Sequence, residues 1–535
     1  MSNEKAITRR QFFKDTAMTV GASAAAAGVL ASFAPTPAAA AQVPEHWDRE
    51  ADVIVIGSGP TGLPAAIAAV EKDASVIVLE QGKEVGGCGV ITAGLLNLQG
   101  GTRIQKLNKV EDSPGLLFQR MSDYRERYNK RDDPALLRAF CDANPGTLDW
   151  LEQRGVRFLE TLMPWAGSGQ PSAYHYIWWD QEGPGASAFK GPNGVSSGAG
   201  LIKPLEAHAK NKGVEILLER KMTRIVRGSG PTSRVLGVGV EADRGMLYFR
   251  ARKAVILGTG SWKGHKFLRK LYDSRLTEDL SASGEPFVNA DGSGIQAGLE
   301  VGAVLKSDMT VDVALFRRKF GTKHYNFPLN SPYGAPGLSI AGPRMADVIF
   351  VNKSGMRYVN EEDVPSLGSY SFFDASLSQE EHVLWTIFDD AAAKKHKWNT
   401  NPPVTEEGSA FGAPTLAELA KLIHVPGDAL AETVGKYNTY VDAGKDPDFG
   451  KPPSLLQSKI ETPPFFAVWI SLYVHDTCGG LAVNVKAQAL DIHGEIIPGL
   501  YAGGEAAGGL GVAGMPRAII TGRIAGENAA GEKPA

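Results

Sequence analysis

The sequence predicts an α/β fold, and three stretches carry that prediction. Asp52-Val-Ile-Val-Ile56 is a short apolar strand that runs into Gly57-Ser-Gly59-Pro60-Thr61-Gly62 and then a small-residue helix over 63–70. A second apolar strand, 74–79, ends on Glu80. At the other end of the chain, 497–505 reads as a strand closing on Gly503-Gly504-Glu505, followed by a last helix predicted over 518–530.

Each element has a physical reason. Gly57 permits a tight turn, Gly59 lets the backbone approach a pyrophosphate, and Gly62 lets helix and strand pack closely. The helix N-terminus offers unpaired N–H donors and the positive end of its dipole to the phosphates. Glu80 stands 23 residues after Gly57, where an acid accepts from a ribose hydroxyl. A lone GxGxxG is weak evidence. With strand, helix and acid in order it becomes a Rossmann-type dinucleotide site. The sequence after Glu80, Gln81-Gly-Lys-Glu-Val-Gly86-Gly87 and then Ala93-Gly94-Leu-Leu-Asn97, points to FAD rather than NAD.

Composition narrows the function classes. With 535 residues, 43% hydrophobic and 21% charged, the chain is neither disordered nor fibrous. A net charge of −3, with no long basic run, argues against nucleic acid as the main partner. Residues 1–41 read as a twin-arginine signal peptide: Thr8-Arg9-Arg10-Gln11-Phe12-Phe13-Lys14, a weakly apolar run, then Ala39-Ala40-Ala41 for the peptidase. That route carries proteins already folded, so it predicts an inserted cofactor and a place in the periplasm or cell exterior. No membrane span is expected in the mature chain. Three cysteines, Cys88, Cys141 and Cys478, are too few for a disulfide framework. Neither Cys-x-x-Cys-His nor Cys-x-x-Cys occurs, so no c-type haem or iron–sulfur relay is expected.

Several further motifs carry a family resemblance. Ser196-Ser-Gly-Ala-Gly-Leu-Ile-Lys-Pro-Leu205, Lys253-Ala-Val-Ile-Leu-Gly258-Thr-Gly260, Asp291-Gly-Ser-Gly294 and Val351-Asn-Lys-Ser-Gly-Met-Arg357-Tyr-Val-Asn360-Glu361 stand between the two flavin-binding ends. With His475-Asp476-Thr477-Cys478-Gly479-Gly480, the chain resembles the flavoprotein subunits of the succinate dehydrogenase/fumarate reductase family, notably the soluble exported fumarate reductases. It is more loosely similar to the 3-ketosteroid 1-dehydrogenases. The resemblance implies an FAD-binding domain assembled from 43–308 and 475–531, with an inserted α+β capping domain over 309–474. It implies FAD contacts at Gly57, Gly59, Pro60, Thr61, Gly62, Glu80, Gly87, Cys88, Gly94, Gly258, Gly260, Asp291, Gly504 and Glu505.

For the chemistry, the resemblance makes His475 a contact to a substrate carboxylate or carbonyl. The bland alternative is a histidine packed at a hinge. Arg517 would bind an anion or carbonyl, or else contact FAD alone. The family's Arg is followed by a longer Gly-Gly-Asn-rich turn, and here about eight residues of it are missing, so Arg517 runs almost directly into Ala518. The family's proton-donating Arg follows a Phe-Asp-Asp motif. Here Phe388-Asp389-Asp390-Ala-Ala-Ala393-Lys394 puts Ala393 in its place and turns Lys394 about 100° away. Reduction of plain fumarate is therefore not expected. Tyr333, His324 and Tyr325 are the candidates for a replacement acid or base. Cys88 has the spacing of the flavin-linked His of succinate dehydrogenases. It reads either as a covalent 8α anchor or as a buried thiol against noncovalent FAD, the reading adopted. The aromatic run Tyr174-His175-Tyr176-Ile-Trp178-Trp179 could line a pocket or simply pack a long loop.

The expected function is an exported FAD-dependent oxidoreductase. Hydride passes between flavin N5 and a carbon next to a carbonyl, in dehydrogenation or ene reduction. The alternatives are oxidation of an alcohol, amine or steroid-like substrate, or a flavoprotein electron-transfer subunit. Electrons require a partner such as a cytochrome c or a quinone-linked protein.

Overall fold

The computed structural model describes residues 43–92, 94–127, 132–162, 174–180, 190–191, 194–230, 232–242, 245–278, 280–284, 290–306, 311–316, 346–361, 370–396, 410–512 and 514–534. The signal at 1–41 and the candidates His324, Tyr325 and Tyr333 lie outside these.

Apolar β-branched runs buried on both faces form a parallel sheet. Its middle is β1 (Arg49–Ile56), with Val53, Ile54 and Val55 fully buried. On one side β1 pairs with β2 (Val76–Leu79), which pairs with β3 (Glu215–Leu217). On the other side it pairs with β4 (Gly245–Leu257), which pairs with β5 (Ile496–Ala502). All four pairings are parallel. The register Val255↔Leu500, Ile256↔Tyr501, Leu257↔Ala502 brings the C-terminal strand into the N-terminal sheet. The α/β prediction is borne out, and the two ends of the chain share one sheet.

Helix α1 (Gly62–Val70) and the last helix, α2 (Met515–Ala530), cover this sheet together. Small residues set the contact. A Cβ on Gly522 would fall 2.3 Å from Thr61 O, and one on Gly526 2.1 Å from Ala65 O. Helix α2 begins three residues before the expected Ala518. Pro516 sits in its first turn, where a missing N–H costs nothing, and Gly514 turns the chain at φ +86°.

A second sheet is built mostly from 311–477. Its spine is the thirteen-residue strand Phe465–Thr477. This strand pairs with Leu384–Asp389 and Ala410–Ala413 in its first half, and with Val311–Phe316 and Ser281–Ala282 in its second. It therefore runs from the second sheet back to the dinucleotide-binding strands and delivers His475, Asp476 and Thr477 at its end. A hairpin turns at 352–356: Asn352 N donates to Met356 O, and Val351 bridges Arg357. The aromatic run is a strand, Tyr174–Trp179, with His175, Tyr176, Ile177 and Trp178 all buried. His175 is held by Thr102 Oγ1 at 3.0 Å, so these side chains build core. No described helix is long and apolar enough to cross a membrane.

Candidate active site at the flavin cradle

The glycines after β1 are of two kinds. Gly57 has φ +93°, and a Cβ there would lie 2.6 Å from Gly258 O. A Cβ on Gly62 would fall 1.8 Å from Gly57 O. Packing within the protein forces both. Gly59 is different, because a Cβ there would meet only Gly86 O, at 3.7 Å. Gly260, at φ +75°, has nothing within 4 Å of its Cβ position. The N-cap of α1, Thr61, makes no side-chain cap. Backbone stripped of side chains, beside an uncapped helix N-terminus, is the cradle that a pyrophosphate needs. Thr259 Oγ1, between Gly258 and Gly260, is a buried hydroxyl with no protein partner.

Glu80 stands where the sequence put it, at the end of β2. Its Oε2 accepts from Ser58 N (2.9 Å) and Ser58 Oγ (2.6 Å), and its Oε1 from Gly82 N (2.7 Å). The carboxylate is thus fixed by three donors beside the Gly57–Gly62 turn. Gly87 and Cys88 belong to a short helical turn, Gly87–Val90, packed on Pro60 through Gly89. Gly94 lies against Ser197, where a Cβ would fall 2.3 Å from Ser197 N. Gly504 adopts φ +60° and packs on Thr61, and its N–H donates to Thr521 Oγ1 at 2.7 Å. Asp291 works locally: its Oδ1 accepts from Ser293 N at 3.0 Å, at the start of the helix Ser293–Glu300.

His475 sits on a β-bulge. Asp312 pairs with Asp476 and the next residue, Val313, with Val474, so His475 has no opposite number. A bulge bends the strand and re-aims the side chain at that point. Two donors fix it. Lys263 Nζ (3.0 Å) and Ser283 Oγ (2.6 Å) both donate to His475 O. The bulge turns His475 Nδ1 to within 3.4 Å of Asp476 Oδ2, while about 29% of the His475 side chain stays exposed.

Lys263 was not among the expected site residues. It lies three residues after Gly260 of the Gly258-Thr259-Gly260 turn, and that proximity was the available signal. Its buried ammonium lies 3.7 Å from Asp476 Oδ1 and 3.9 Å from Glu505 Oε2. Burial opposes its charge, but Glu505, Cys88 and Asp476 outweigh burial and hold the ammonium protonated above its ordinary range. The two carboxyls diverge. Burial pushes Glu505 up, and Asp476 adds to the push against Lys263. Burial also opposes ionised Asp476, but His475, Lys263 and Arg517 together bring it below its ordinary value. Glu505 Oε1 further accepts from Thr477 N at 2.8 Å. Cys88 shares this neighbourhood, and burial pushes its thiol up, towards the neutral form.

Arg517 was expected to bind an anion or carbonyl, or FAD alone, and the structure places it among backbone carbonyls. Arg517 is buried, and its terminal nitrogens donate to four backbone carbonyls. Nη1 reaches Thr477 O (3.1 Å) and Val512 O (3.4 Å); Nη2 reaches Cys478 O (3.2 Å) and Ala507 O. It clamps α2 to the loops at 477–478 and 507–512.

Ala393 is buried, and Lys394 points to solvent, paired with Asp390 at 2.6 Å. Nearby, Arg357 grips Glu361 with two hydrogen bonds, 2.7 and 2.6 Å, and pairs with Asp446 at 2.8 Å. Lys451 completes this buried cluster, 3.4 Å from Glu361.

A glycine cradle at an uncapped helix, closed by a strand and helix from the opposite end of the chain, defines a dinucleotide-binding oxidoreductase. Comparison with known proteins makes the class specific. The FAD binding domain family model matches residues 52–517. The fumarate reductase (cytochrome) of Shewanella frigidimarina is 28% identical over 493 residues, covering 90% of this chain and 77% of that one. The acrylate reductase flavoprotein subunit of Shewanella woodyi is 27% identical and covers 98% of this chain and 99% of its own. Among solved structures, a 3-ketosteroid-delta4-(5alpha)-dehydrogenase from Rhodococcus jostii RHA1 superposes with a TM-score of 0.70 at 25% identity, covering 92% and 99%. The chain belongs to the FAD binding domain family, among the succinate dehydrogenase/fumarate reductase flavoproteins, and is an FAD-dependent oxidoreductase. The open backbone at Gly59 and Gly260 and the unpartnered Thr259 hydroxyl fit FAD as its cofactor.

Proposed function

We propose that this chain is an exported ene reductase. It reduces a carbon–carbon double bond conjugated to a carbonyl or carboxylate, and plain fumarate is a poor substrate. Bound FAD supplies the hydride. The chain's own residues bind, orient and polarise. Gly59 and the N-terminus of α1 hold the pyrophosphate, Glu80 a ribose hydroxyl, and the Gly258–Gly260 and Gly504 turns the rest of the cofactor. Cys88 packs against it as a neutral thiol, without a covalent link. The domain reading accompanies this: an FAD-binding part from 43–308 and 475–531, with a cap at 309–474. Most strands of the second sheet fall between 311 and 477, which supports that division.

The observation that carries the proposal is His475. A partly exposed imidazole stands at a bulge where the cap's longest strand returns to the flavin cradle. Its imidazole can donate to a substrate carbonyl and draw electron density from the double bond, and a water-poor cleft strengthens that contact. The names of the relatives, reductases of fumarate and of acrylate, support the reaction class. Buried Ala393 and outward-turned Lys394 argue against fumarate itself. Electrons arrive from a partner, a cytochrome c or a quinone-linked protein. Support comes from a sequence without a haem motif of its own and a relative named for its cytochrome. The twin-arginine signal supports a periplasmic or extracellular location.

The test is a flavin absorbance titration. Photoreduced holoenzyme is mixed anaerobically with acrylates, aryl acrylates and fumarate. Reoxidation by a substituted enoate, faster than by fumarate, is expected. Indifference to every enoate, with bleaching of the oxidised enzyme by a steroid-like ketone, would favour the second reading. That reading, ring dehydrogenation, rests on the likeness to the ketosteroid dehydrogenase.

A further inference from the structure

We propose that Lys263 sets the reduction potential of the bound flavin, its buried ammonium favouring the reduced cofactor over the oxidised one and Asp476 moderating it as counter-ion. This rests on bound FAD alone and not on the identity of the substrate. Two-electron reduction of a flavin with uptake of one proton adds one negative charge to the site. The electrons come from the external donor and the proton from water. Fixed charges lining the cofactor decide how easily that charge is accepted.

Segments from four parts of the chain meet at this ammonium. Lys263 stands three residues after Gly260, whose Cβ position is open. Its Nζ lies 3.7 Å from Asp476 Oδ1, at the end of the strand Phe465–Thr477, and 3.9 Å from Glu505 Oε2, next to the Gly504 turn. Cys88, from the turn Gly87–Val90, is near enough for its thiol to respond to the charge. The loop that carries Lys263 is stitched in place at two points. Trp262 Nε1 donates to Gly479 O at 3.1 Å, and Lys263 Nζ to His475 O at 3.0 Å. At the same strand end Asp476 Oδ2 and Thr477 Oγ1 are buried without a hydrogen-bond partner among the described residues, as in a wall built to face a polar ligand.

Lys263 is only 2% exposed, and burying an ammonium is costly. A structural pin does not need one. His475 O also accepts from Ser283 Oγ at 2.6 Å, so a neutral side chain at 263 would leave that carbonyl satisfied. Nor do the neighbours absorb the charge. Asp476 and Glu505 stand beyond hydrogen-bond length from it. Burial pushes Glu505 towards its neutral form, which leaves Asp476 as the main counter-charge. Arg517 adds a second buried cation within reach of Asp476. Charges so buried are little screened by salt.

The experiment measures the midpoint potential of the flavin in wild type, Lys263→Met, Lys263→Arg, Asp476→Asn and Ser283→Ala holoenzymes, by slow reduction beside a reference dye with no substrate present. Lys263→Met should lose at least tenfold of the preference for reduced over oxidised flavin, a fall of about 30 mV. Lys263→Arg should recover part of it. Asp476→Asn should move the potential the other way, and Ser283→Ala, which removes the neutral pin on the same carbonyl, should leave it unchanged. An unmoved potential in flavin-loaded Lys263→Met would overturn the proposal. So would an equal fall in Ser283→Ala, which would reduce Lys263 to a pin for His475 O. If Lys263→Met retains no FAD, Asp476→Asn decides alone: a rise supports the proposal, and no change or a fall overturns it. Failure of wild type to reduce any enoate would strike the reaction reading and leave these potentials to be judged by themselves.

Discussion

A Cβ on Gly62 would stand 1.8 Å from the carbonyl oxygen of Gly57, whereas one on Gly59, three residues earlier, would touch only Gly86 O at 3.7 Å. Two glycines of one motif therefore answer to different partners, Gly62 to the protein and Gly59 to the ligand. Gly59→Ala should fold with an unchanged urea midpoint yet bind FAD at least ~10-fold more weakly, about 1.4 kcal/mol, because the methyl occupies the phosphate's space. Gly62→Ala should lower the stability of the apoprotein itself, by about 1–3 kcal/mol or more. Equilibrium unfolding of the apoproteins, set beside FAD titration, separates the two. Equal loss of stability in both variants would contradict the assignment.

The contact between the first and last helices makes a second prediction. Gly522 and Gly526 lie where added methyls would meet Thr61 O and Ala65 O at 2.3 and 2.1 Å. Gly522→Ala should push α2 off α1 and cost about 1–3 kcal/mol. Gly435, inside the helix Gly427–Ala443, has nothing within 4 Å of its Cβ position. Gly435→Ala should instead stabilise by about 0.5–1 kcal/mol, since it only removes unfolded-state freedom. Thermal melts of both variants check the opposite signs.

Arg517 offers a third. Its planar fork spans carbonyls of residues 477, 478, 507 and 512, a pattern that a single ammonium cannot reproduce. Arg517→Lys should lose about 1.5–3 kcal/mol and release FAD more readily, since the 477–478 and 507–512 loops loosen together. On the fraction that keeps its flavin, KM for an enoate should stay near wild type. A large KM rise in fully flavinated enzyme would restore the anion-contact role.

What was legible in the sequence was local. The strand, glycine turn and helix at 52–70, and Glu80 closing the next strand, are ordered by spacing along the chain, and each fell where expected. The C-terminal strand was legible for the same reason, since its Gly-rich end repeats the logic of the first. The Lys263 cluster was not. It joins residues 263, 476 and 505, and nothing in a one-dimensional pattern says that a lysine after one turn will reach a carboxylate after another. The bulge at His475 depends on the register against Val311–Phe316, which the sequence of either strand alone does not set. The carbonyl partners of Arg517 were not legible because resemblance fixes a residue's place on a helix but not the conformation of the loops around it. The same limit hid the partners of Arg357. Arg357 and Glu361 lie in one quoted motif, yet Asp446 and Lys451 lie some ninety residues further on.

That last cluster carries a prediction about acid. Burial alone would raise the Glu361 carboxyl, but Lys451 and Arg357 outweigh it and hold the group below its ordinary 4.5. Asp446 is likewise pressed upward by burial and drawn below its ordinary 3.8 by Arg357 and by backbone donors. Both folded values are depressed, so the unfolded chain takes up protons first as pH falls. The stability these groups contribute is therefore complete above about pH 5 and is lost as pH drops through the ordinary values towards the folded ones. Glu361→Gln removes one carboxylate while leaving Arg357 and Lys451 buried. It should destabilise by about 3–5 kcal/mol at neutral pH. The gap to wild type should then narrow on acidification, because protonated Glu361 resembles Gln. Urea unfolding at neutral pH and at several points below pH 5 measures the gap directly. A gap of constant size across that range would mean that the charge on Glu361 contributes nothing, and that shape alone holds the 352–361 segment to the 446–451 loop.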